Sequence, residues 1–405
     1  MRIALVTRFA WPHPGGTELL VRTAAGALSA QEDVSVFAQR IEEGGDITWA
    51  GPFDQAGRFD PFLDPATGVK TTQLRLESID KALLFPYVIG PKRVGSRVRP
   101  AHYASLLVEA WFAQVASRRF AQIIRGADVV HRFAGNRMTL ATVRAAHRLD
   151  RPVVVTPLAH PGQWDDDHIS AMAYREADLV VATSSTDAEL YERLGVPEER
   201  LHISAPPTRA PARGGGPAAR AGASITGPLV LFLGVRRPYK GVEALVGAAK
   251  ILATRHPDAR VAFVGPGPAL SDPPPNVSDI GPVSDADRDA WLDAADIVCL
   301  PSSFESWGLT VSEAWSVGAP VVTSDIPVLR RRVEDVGGGL AVPARPGELA
   351  DALLTLLQDE PTRRRMGRAG YEHYQRHLSE AAFASWHLAA YRRLVAGRTE
   401  RARRR

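Results

Sequence analysis

Residues 300–322, LPSSFESWGLTVSEAWSVGAPVV, contain the pattern from which the fold can be worked out. The apolar run DIVCL ends at Leu300, Gly308 interrupts the polar segment that follows, and Gly318 stands just before a second apolar run. A short helix from about Leu309 fits between the two glycines, because glycine is favoured just after a helix ends. The stretch therefore predicts a strand, a loop, a short helix and a second strand.

The same alternation of short apolar runs with helical segments extends along most of the chain. RIALVT, DVSVFA and PVVVTPLAH recur in the first half, and PLVLFLGV, RVAFVGPG and PVVTSD recur in the second. Continuous apolar strands joined by helices are typical of parallel sheets that are covered on both faces. We therefore expect an α/β fold built from doubly wound parallel sheets.

A break in this alternation divides the chain into two halves. Residues 208–227 are rich in Pro, Gly, Ala and Arg and lack apolar periodicity, which is typical of a linker. We expect Rossmann-like domains at residues 1–207 and 228–379, with ligands at the carboxyl ends of their strands. The segment from about Gly45 to Arg99 fits less well, and we expect long loops that either recognise a substrate or form a divergent surface insertion.

Composition limits the classes of function. Of the 405 residues 45% are hydrophobic and 23% are charged, as in an ordinary soluble globular protein. The first apolar run is too short for a signal peptide, and no stretch approaches the roughly 20 apolar residues of a transmembrane helix. The single cysteine, Cys299, lies in an apolar run and is expected to be a small buried side chain of a cytoplasmic protein. A net charge of only +4, without zinc-ligand spacing or a basic aromatic helix, argues against a nucleic-acid partner.

Two carboxylates in the opening stretch are candidates for ligand binding. Glu305 falls in the predicted loop and Glu313 on the first turns of the predicted helix. Both then lie near the end of a parallel strand, beside a helix N-terminus whose free N–H groups favour an anion. A diphosphate is a suitable anion, because a ligand that contains one would also bring hydroxyl groups to the carboxylates. Ordinary solvated surface charge is the alternative interpretation.

These residues resemble a known family. FESWGLTVSEAWSVGAPVVTSD resembles the E-x7-E motif of retaining glycosyltransferases of family 4, which have the GT-B fold, two Rossmann-like domains facing each other across a cleft. RIALVTRFAWPHPGGTELLV, ADVVHRF, LFLGVRRPYKGVEALVGAA and GPVSDADRDAWLDAADIVCLPSSFE resemble further segments of the family in the same order. The resemblance implies an acceptor-binding N-terminal domain and a donor-binding C-terminal domain, with the last helix, at about 380–398, crossing back to the first.

The resemblance implies roles for the charged residues of the C-terminal half. Glu305 would hydrogen-bond hydroxyls of the donor sugar, Glu313 would hydrogen-bond ribose hydroxyls, and Lys240 would neutralise the departing diphosphate. The family has an arginine where this chain has a valine. We expect Arg236, slightly ahead of Arg237, to take over that contact.

The resemblance also implies backbone and acceptor-side positions. Amides around Trp307, Gly308 and Leu309 would meet the diphosphate, and His160 would line the reaction centre. A structural role is the alternative interpretation for His160 and for His131. The other implied positions are Thr310, Gly265, Val283 and Gly16 on the donor side, and Gly15 and His131 on the acceptor side.

Two further patterns are given no catalytic role. GPGP at residues 265–268 lacks two of the N–H donors that a phosphate loop needs, because Pro266 and Pro268 have none. WDDDH at residues 164–168 contains Asp-x-Asp, as metal-dependent transferases of another fold do, but here it is typical of an acidic helix start. We therefore expect neither a metal nor another cofactor.

The predicted function is that of a metal-independent retaining glycosyltransferase. It would move a sugar from a nucleotide diphosphate sugar, with uridine diphosphate favoured by family frequency, to a hydroxyl of a small molecule, a glycan or a lipid-linked acceptor. A sugar-nucleotide epimerase of the same fold and a non-catalytic sugar-nucleotide-binding subunit are the alternatives. The basic PKRVGSRVR and the Arg-rich tail leave open a weak peripheral contact with the inner face of the membrane.

Overall fold

The computed structural model divides the chain into two compact units. The N-terminal unit comprises Met1–Pro207 with Phe383–Arg405, and the C-terminal unit comprises Thr208–Ala382. Among the described helices, none combines the length and the apolar character needed to cross a bilayer. The described residues are 1–13, 16–40, 59–83, 99–135, 137–159, 165–305 and 307–403.

Within the described residues, the N-terminal unit contains an eight-stranded sheet in the order β3-β4-β2-β1-β5-β6-β7-β8. Its neighbouring strands are parallel except for the short pair β3–β4. The central strands are buried on both faces, as their continuous apolar runs predict. The strands are β1 (Arg2–Phe9), β2 (Asp33–Arg40), β3 (Phe62–Leu63), β4 (Lys70–Gln73), β5 (Val129–Phe133), β6 (Val153–Thr156), β7 (Leu179–Ala182) and β8 (Leu201–Ile203).

Helices cover both faces of this sheet. The last helix belongs to this unit from Phe383 onward and buries Leu388 and Tyr391 in the same apolar cluster as Leu5 of β1. The helices are α1 (Gly16–Ser29), α2 (Ser78–Leu83), α3 (Arg99–Ile124), α4 (Arg137–Arg148), α5 (His168–Glu176), α6 (Ser185–Arg193) and, at the end of the chain, α14 (Glu380–Arg403).

The C-terminal unit contains a six-stranded, entirely parallel sheet in the order β11-β10-β9-β12-β13-β14. Cys299 of β12 is completely buried in its core, as expected. The strands are β9 (Leu229–Leu233), β10 (Arg260–Val264), β11 (Val277–Gly281), β12 (Ile297–Leu300), β13 (Val321–Ser324) and β14 (Gly339–Val342). The helices are α7 (Gly216–Gly222), α8 (Val242–Arg255), α9 (Asp285–Ala294), α10 (Leu309–Ser316), α11 (Pro327–Val336), α12 (Pro346–Gln358) and α13 (Glu360–His373).

Residues 208–227 are folded against the C-terminal unit instead of forming an open linker. Helix α7 lies within this segment, and Arg209 Nη2 lies 2.6 Å from Asp289 Oδ1 of α9. The backbone N–H of Gly216 donates to Asp293 Oδ2 over 3.0 Å. A Cβ on Gly216 would lie 2.9 Å from backbone atoms of α9. The small residues that suggested flexibility therefore allow close packing between two backbones.

The region expected to form long loops contributes part of the N-terminal sheet. Strand β4 pairs in parallel with β2, and β3 pairs with β4 in the antiparallel sense. Helix α2 follows them. The rest of the predicted insertion, residues 41–58 and 84–98, lies outside the described residues.

Each sheet has a point where the strand order reverses direction. In the N-terminal sheet β1 lies between β2 and β5, and in the C-terminal sheet β9 lies between β10 and β12. Ligands of open parallel sheets bind at the carboxyl ends of strands at such points. We therefore expect ligand sites in the loops that follow β9 and β12 and in those that follow β1 and β5.

Candidate functional site

The opening stretch folds as its sequence predicts. Strand β12 ends at Leu300, and helix α10 begins at Leu309 after a loop. Gly308 has φ of 72°, in the left-handed region that favours glycine, and a Cβ there would lie 2.8 Å from Leu329 Cδ2. This turn aims the N-terminus of α10 at the carboxyl edge of the sheet. Ser306 lies outside the described residues.

Glu305 forms an ion pair with Lys240. Lys240 Nζ donates to Glu305 Oε1 over 2.6 Å, and both side chains are largely buried. Lys240 ends a 3-10 turn (Pro238–Lys240) that follows β9. The backbone N–H of Ser303 donates to the carbonyl of Tyr239 over 2.8 Å. The loops after two adjacent central strands thus bring together two residues that are 65 positions apart in sequence.

Gly241 allows these two loops to approach each other. It has φ of 69°, and a Cβ on it would lie 2.1 Å from the carbonyl oxygen of Pro301. No side chain fits at that distance, so the RRPYKG segment needs glycine directly after its lysine. The backbone therefore fixes how Lys240 faces the loop that carries Glu305.

Glu313 is held by a different cation. Nη2 of Arg288, on the first turn of α9, lies 2.7 Å from both carboxylate oxygens of Glu313. Burial lowers the pKa of Arg288, but the adjacent Glu313 carboxylate raises it more, so its pKa lies above its usual value. Glu305 and Glu313 consequently occupy two separate ion pairs, an arrangement suited to binding two parts of one ligand and unsuited to sharing a proton.

Arg236 is used inside the protein, contrary to its expected role at the diphosphate. Its Nε and Nη2 donate to the carbonyl of Gly265 over 3.3 and 3.1 Å, and Nη1 donates to that of Pro268 over 3.0 Å. Nη2 also lies 2.6 Å from Asp279 Oδ1. Arg237 is exposed at the start of the turn that ends with Lys240. The neighbouring arginine therefore has the accessible guanidinium.

The other donor-side positions surround the same edge. Gly265 has φ of 132°, and its N–H donates to the carbonyl of Gly281 over 2.7 Å, so its role here is a tight turn. Thr310 Oγ1 donates to the carbonyl of Leu233 at the end of β9 over 3.3 Å. Val283 lies in the loop between β11 and α9 and is half-buried, as are Trp307 and Leu309.

Arg332 supports this loop and was not identified from the sequence. Its Nη1 donates to the carbonyls of Trp307 and Gly308 over 2.8 and 3.0 Å, and its Nη2 donates to the Ser312 hydroxyl. The guanidinium carbon lies 3.9 Å from the ring centroid of Trp307. Burial lowers the pKa of Arg332 to about 9. The only hint in the sequence was an arginine at a position of α11 that apolar periodicity assigns to the core.

The acceptor-side residues are placed differently. His131 is completely buried in β5; its Nδ1 lies 2.5 Å from the Tyr391 hydroxyl and its Nε2 lies 2.8 Å from Thr156 Oγ1. Both ring nitrogens are used within the core, so the structure gives this histidine a structural position instead of an acceptor contact. Gly16 is exposed at the start of α1. His160 and Gly15 lie outside the described residues.

The acidic WDDDH segment starts a helix, as interpreted from the sequence. Asp167 is the N-cap of α5, and its side chain accepts hydrogen bonds from the N–H groups of Ile169 and Ser170. Burial raises the pKa of the preceding Asp165 to about 7, with a smaller contribution from Asp167. Asp165 lies two residues before this N-cap, and its sequence pattern predicts no catalytic role for it.

Comparison with known proteins relates this chain to sugar transferases. The model of the family described as "Glycosyl transferases group 1" matches residues 220–373. The D-inositol 3-phosphate glycosyltransferase of Corynebacterium glutamicum is 35% identical over 42% of this chain and 44% of its own length. The phosphatidyl-myo-inositol mannosyltransferase of Propionibacterium freudenreichii is 27% identical over 91% of this chain and 89% of its own length.

The fold resemblance covers nearly the whole chain. The structure of Anabaena Alr3699/HepE in complex with UDP and glucose has a TM-score of 0.67, with 16% identity over 96% of this chain and 98% of that one. At this identity the likeness shows a GT-B fold and nothing more specific. In sequence, the chain spans about half the length of several inositol 3-phosphate glycosyltransferases that it matches.

Proposed function

Because the chain belongs to the glycosyl transferases group 1 through its residues 220–373, we propose that it transfers a sugar from a nucleotide diphosphate sugar to an acceptor hydroxyl, with retention of configuration. The observation that carries this proposal is the pair of separate carboxylate–cation contacts, Lys240–Glu305 and Arg288–Glu313. They lie on two loops and two helices at the carboxyl edge of one parallel sheet. One contact would serve the sugar end of the donor and the other its ribose.

The diphosphate would lie between these contacts, at the N-terminus of α10. Unpaired N–H groups of a helix start attract an anion. Lys240 would neutralise the charge that develops on the leaving diphosphate. Arg237, exposed on the same turn, would add a second cation, while Arg236 maintains the turn.

Fixed cations of this kind supply the charge that a metal ion supplies in other transferases. We therefore propose that transfer needs no metal or other cofactor. The support is the chemistry of Lys240 and Arg237 beside a helix N-terminus, and a chelator titration of activity tests it.

The proposed reaction is a front-face displacement. The bond between the anomeric carbon and the diphosphate oxygen breaks, and the acceptor oxygen bonds to the same face of that carbon. The acceptor proton passes to a phosphate oxygen of the leaving group, so nucleoside diphosphate and glycoside are the only products. Glu305 would orient the sugar hydroxyls, and His160 would line the reaction centre, as the family resemblance implies.

The identities of donor and acceptor form the finer part of this proposal. Uridine diphosphate sugar is proposed as the donor, supported by the UDP and glucose named for the structurally similar Anabaena protein. The named relatives include transferases of an inositol phosphate and of a phospholipid, so the acceptor is left as a hydroxyl of a small molecule, a glycan or a lipid-linked compound.

We also propose a cytoplasmic location with a peripheral contact at an anionic membrane surface. Ile79 and Leu83 of α2 and Leu107 and Trp111 of α3 are exposed, and Trp111 Nε1 donates to the carbonyl of Leu83 over 3.0 Å. The sequence between these helices, residues 84–98, contains three basic residues and no acidic one. Exposed aromatic and aliphatic groups on two helices that are joined by a basic stretch of sequence suit a lipid interface. Sedimentation with anionic and zwitterionic vesicles tests this part separately.

The main experiment is a thermal-shift panel of nucleotides and nucleotide sugars, followed by an acceptor screen with the best donor. We expect one nucleoside diphosphate and its sugar derivative to stabilise the protein, and product to form only when acceptor is present. Product without acceptor would favour the epimerase, and binding without turnover would favour a non-catalytic subunit. Failure of every nucleotide to stabilise the protein contradicts the proposal.

A further inference from the structure

Arg132 is a buried cation that the proposed donor site does not explain. It lies near the carboxyl end of β5, and its exposed fraction is 0%. None of its three guanidinium nitrogens has a hydrogen-bond partner in the part of the chain that the structure describes. By contrast, Arg332, which is also buried at 8% exposure, donates to two carbonyls and a hydroxyl.

A guanidinium in this position is energetically unfavourable by itself. Burial lowers the pKa of Arg132 to about 10, which still leaves it protonated at neutral pH. A charge removed from water needs a partner of opposite sign close enough to replace its hydration. Uncompensated buried arginines are rare for this reason. Among the described residues, Arg132 therefore has no anion in hydrogen-bond contact.

The neighbouring groups do not supply one. The Asp165 carboxylate raises the pKa of Arg132, yet no guanidinium nitrogen of Arg132 is hydrogen-bonded to it. Burial raises the pKa of Asp165 itself to about 7, so that carboxyl is only partly ionised at neutral pH. Arg8, near the end of β1, lowers the pKa of Arg132 and so adds positive charge. Among the described residues, neither group gives Arg132 a hydrogen-bonded counterion.

The backbone around this cluster is held in unusual conformations. Ala134, Leu158 and Asp165 have φ of 60°, 54° and 64°, in the left-handed region, although none of them is glycine. A Cβ on Gly135 would lie 2.4 Å from Asp165 Cγ, so the turn after β5 packs directly on this carboxyl side chain. Such strained positions cluster at ligand sites, because folding stability elsewhere is used to fix the geometry there.

These observations lie at one point of the N-terminal sheet, where the strand order reverses. Arg8 and Arg132 are on adjacent strands, since Val6 of β1 is in register with Arg132 of β5. The carboxyl edge at such a reversal is where parallel sheets bind ligands. The cluster thus combines the expected location with an unpaired buried cation.

We propose that Arg132, supported by Arg8 and Asp165, forms a subsite for a compact anionic group, a phosphate or a carboxylate, carried by the acceptor. The assignment of the anion to the acceptor rests on the proposed function, but the anion site itself does not. The guanidinium would donate two parallel hydrogen bonds to the anion, and Asp165 would accept a hydrogen bond from an adjacent hydroxyl. The subsite would select acceptors that bear an anion near the hydroxyl that reacts.

The test is a thermal-shift series on the whole chain with inorganic phosphate, glucose 6-phosphate and glucose. We expect phosphate to raise the wild-type midpoint by about 3 °C, glucose 6-phosphate to raise it further at the same concentration, and glucose to leave it unchanged. A larger effect of the sugar phosphate than of phosphate at equal concentration identifies the anion as part of a larger acceptor. Equal effects identify a site for the free ion and contradict the acceptor part of the proposal.

The variant Arg132→Met separates a binding role from a structural one. Because an apolar side chain replaces an uncompensated charge, its midpoint in anion-free buffer should equal or exceed that of the wild type, by up to about 2 °C. Its response to phosphate should disappear. The control is Arg144→Met, which removes a half-exposed ion pair with Glu176 of the same unit and should leave the phosphate response intact.

Two results would overturn the proposal. One is a lower midpoint of Arg132→Met together with no anion response in the wild type, which makes Arg132 a structural cation. The other is an undiminished phosphate response of the variant, which places the anion elsewhere. Stabilisation by the best nucleotide is measured in parallel, so the anion site and the donor proposal can fail independently.

Discussion

Lys240, Arg236 and Arg288 each contact a carboxylate at the carboxyl edge of the C-terminal sheet, whereas Arg132 at the edge of the N-terminal sheet has no hydrogen-bond partner in the described chain. Both edges combine a reversal of strand order with buried charge. At the C-terminal edge these three cations are paired with carboxylates of the protein itself. At the N-terminal edge Arg132 is buried without such a contact among the described residues, and we propose that a ligand supplies it.

Because of this difference, substitution of a cation should have opposite effects on folding stability at the two edges. Removing one member of a buried pair leaves the other uncompensated, so substitutions at the C-terminal edge should destabilise the fold. Removing the unpaired Arg132 relieves an existing cost. The two edges can therefore be told apart by stability measurements before any substrate is known.

The largest effect is expected for Glu305→Ala at the paired edge. The substitution removes the proposed contact with the sugar hydroxyls and releases Lys240 from its fixed position, so transfer should fall by roughly 10³-fold. Nucleotide affinity should change less than about threefold, because the ribose contact at Glu313 is intact. Transfer is measured with the best donor, and nucleotide affinity by calorimetry. The exposed carboxylate variant Asp351→Asn is the control, and a normal rate for Glu305→Ala refutes its role.

The next effect compares the two adjacent arginines. Arg236→Met breaks a buried ion pair and three hydrogen bonds to carbonyls, and should lower the free energy of unfolding by about 3 kcal/mol. Arg237→Met should leave stability within about 0.5 kcal/mol but weaken binding of the nucleoside diphosphate about tenfold. Denaturant unfolding and calorimetry give both numbers. The opposite result is a less stable Arg237→Met and a folded Arg236→Met that binds the nucleoside diphosphate more weakly. It would support the expectation from the sequence that Arg236 contacts the diphosphate.

A smaller effect concerns neutral histidines in the N-terminal unit. Burial lowers the pKa of His387 to about 3 and that of His131 well below its ordinary value. Both are neutral in the folded state but gain a proton on unfolding below about pH 6.5, so acid favours unfolding. His387 alone should cost about 2 kcal/mol of stability between pH 7 and pH 5, or about 1.4 kcal/mol per pH unit below 6.5. The variant His387→Phe should therefore lose about 2 kcal/mol less of its free energy of unfolding between pH 7 and pH 5 than the wild type, as measured by denaturant unfolding. A pH dependence of stability equal to that of the wild type would contradict this prediction.

The smallest effect is expected for Arg288→Met. Glu313 would lose its bidentate partner, so nucleotide affinity should fall about tenfold, which is about 1.4 kcal/mol. The preference for a ribonucleotide over its 2′-deoxy analogue should shrink, because a free carboxylate no longer holds one orientation. Arg255→Met, which removes an exposed pair with Asp351, should change neither quantity. Unaltered discrimination against the deoxy analogue would mean that Arg288 does not position Glu313.

Several elements of the fold followed directly from the sequence. The strand, loop and helix around residues 297–316 were predicted because apolar runs and glycines report burial and helix ends locally. The helix at the end of the chain was placed with the N-terminal unit through the family resemblance. The folding of residues 208–227 against α9 was not predicted, because small residues are equally compatible with a flexible chain and with close packing.

The sequence by itself determined the kind of chemistry: parallel sheets, an anion-attracting helix start, and the carboxylates and lysine of a family motif. Only the tertiary structure decided which partner each polar group has. Arg236 and Arg237 are adjacent in sequence, yet one is enclosed by carbonyls and the other is exposed. His131 and Arg132 are also adjacent, yet the first has two partners and the second has none among the described residues. The physical reason is that neighbouring side chains of strand β5 point to opposite faces, and that in both segments the partners of each side chain come from elements far away in the chain.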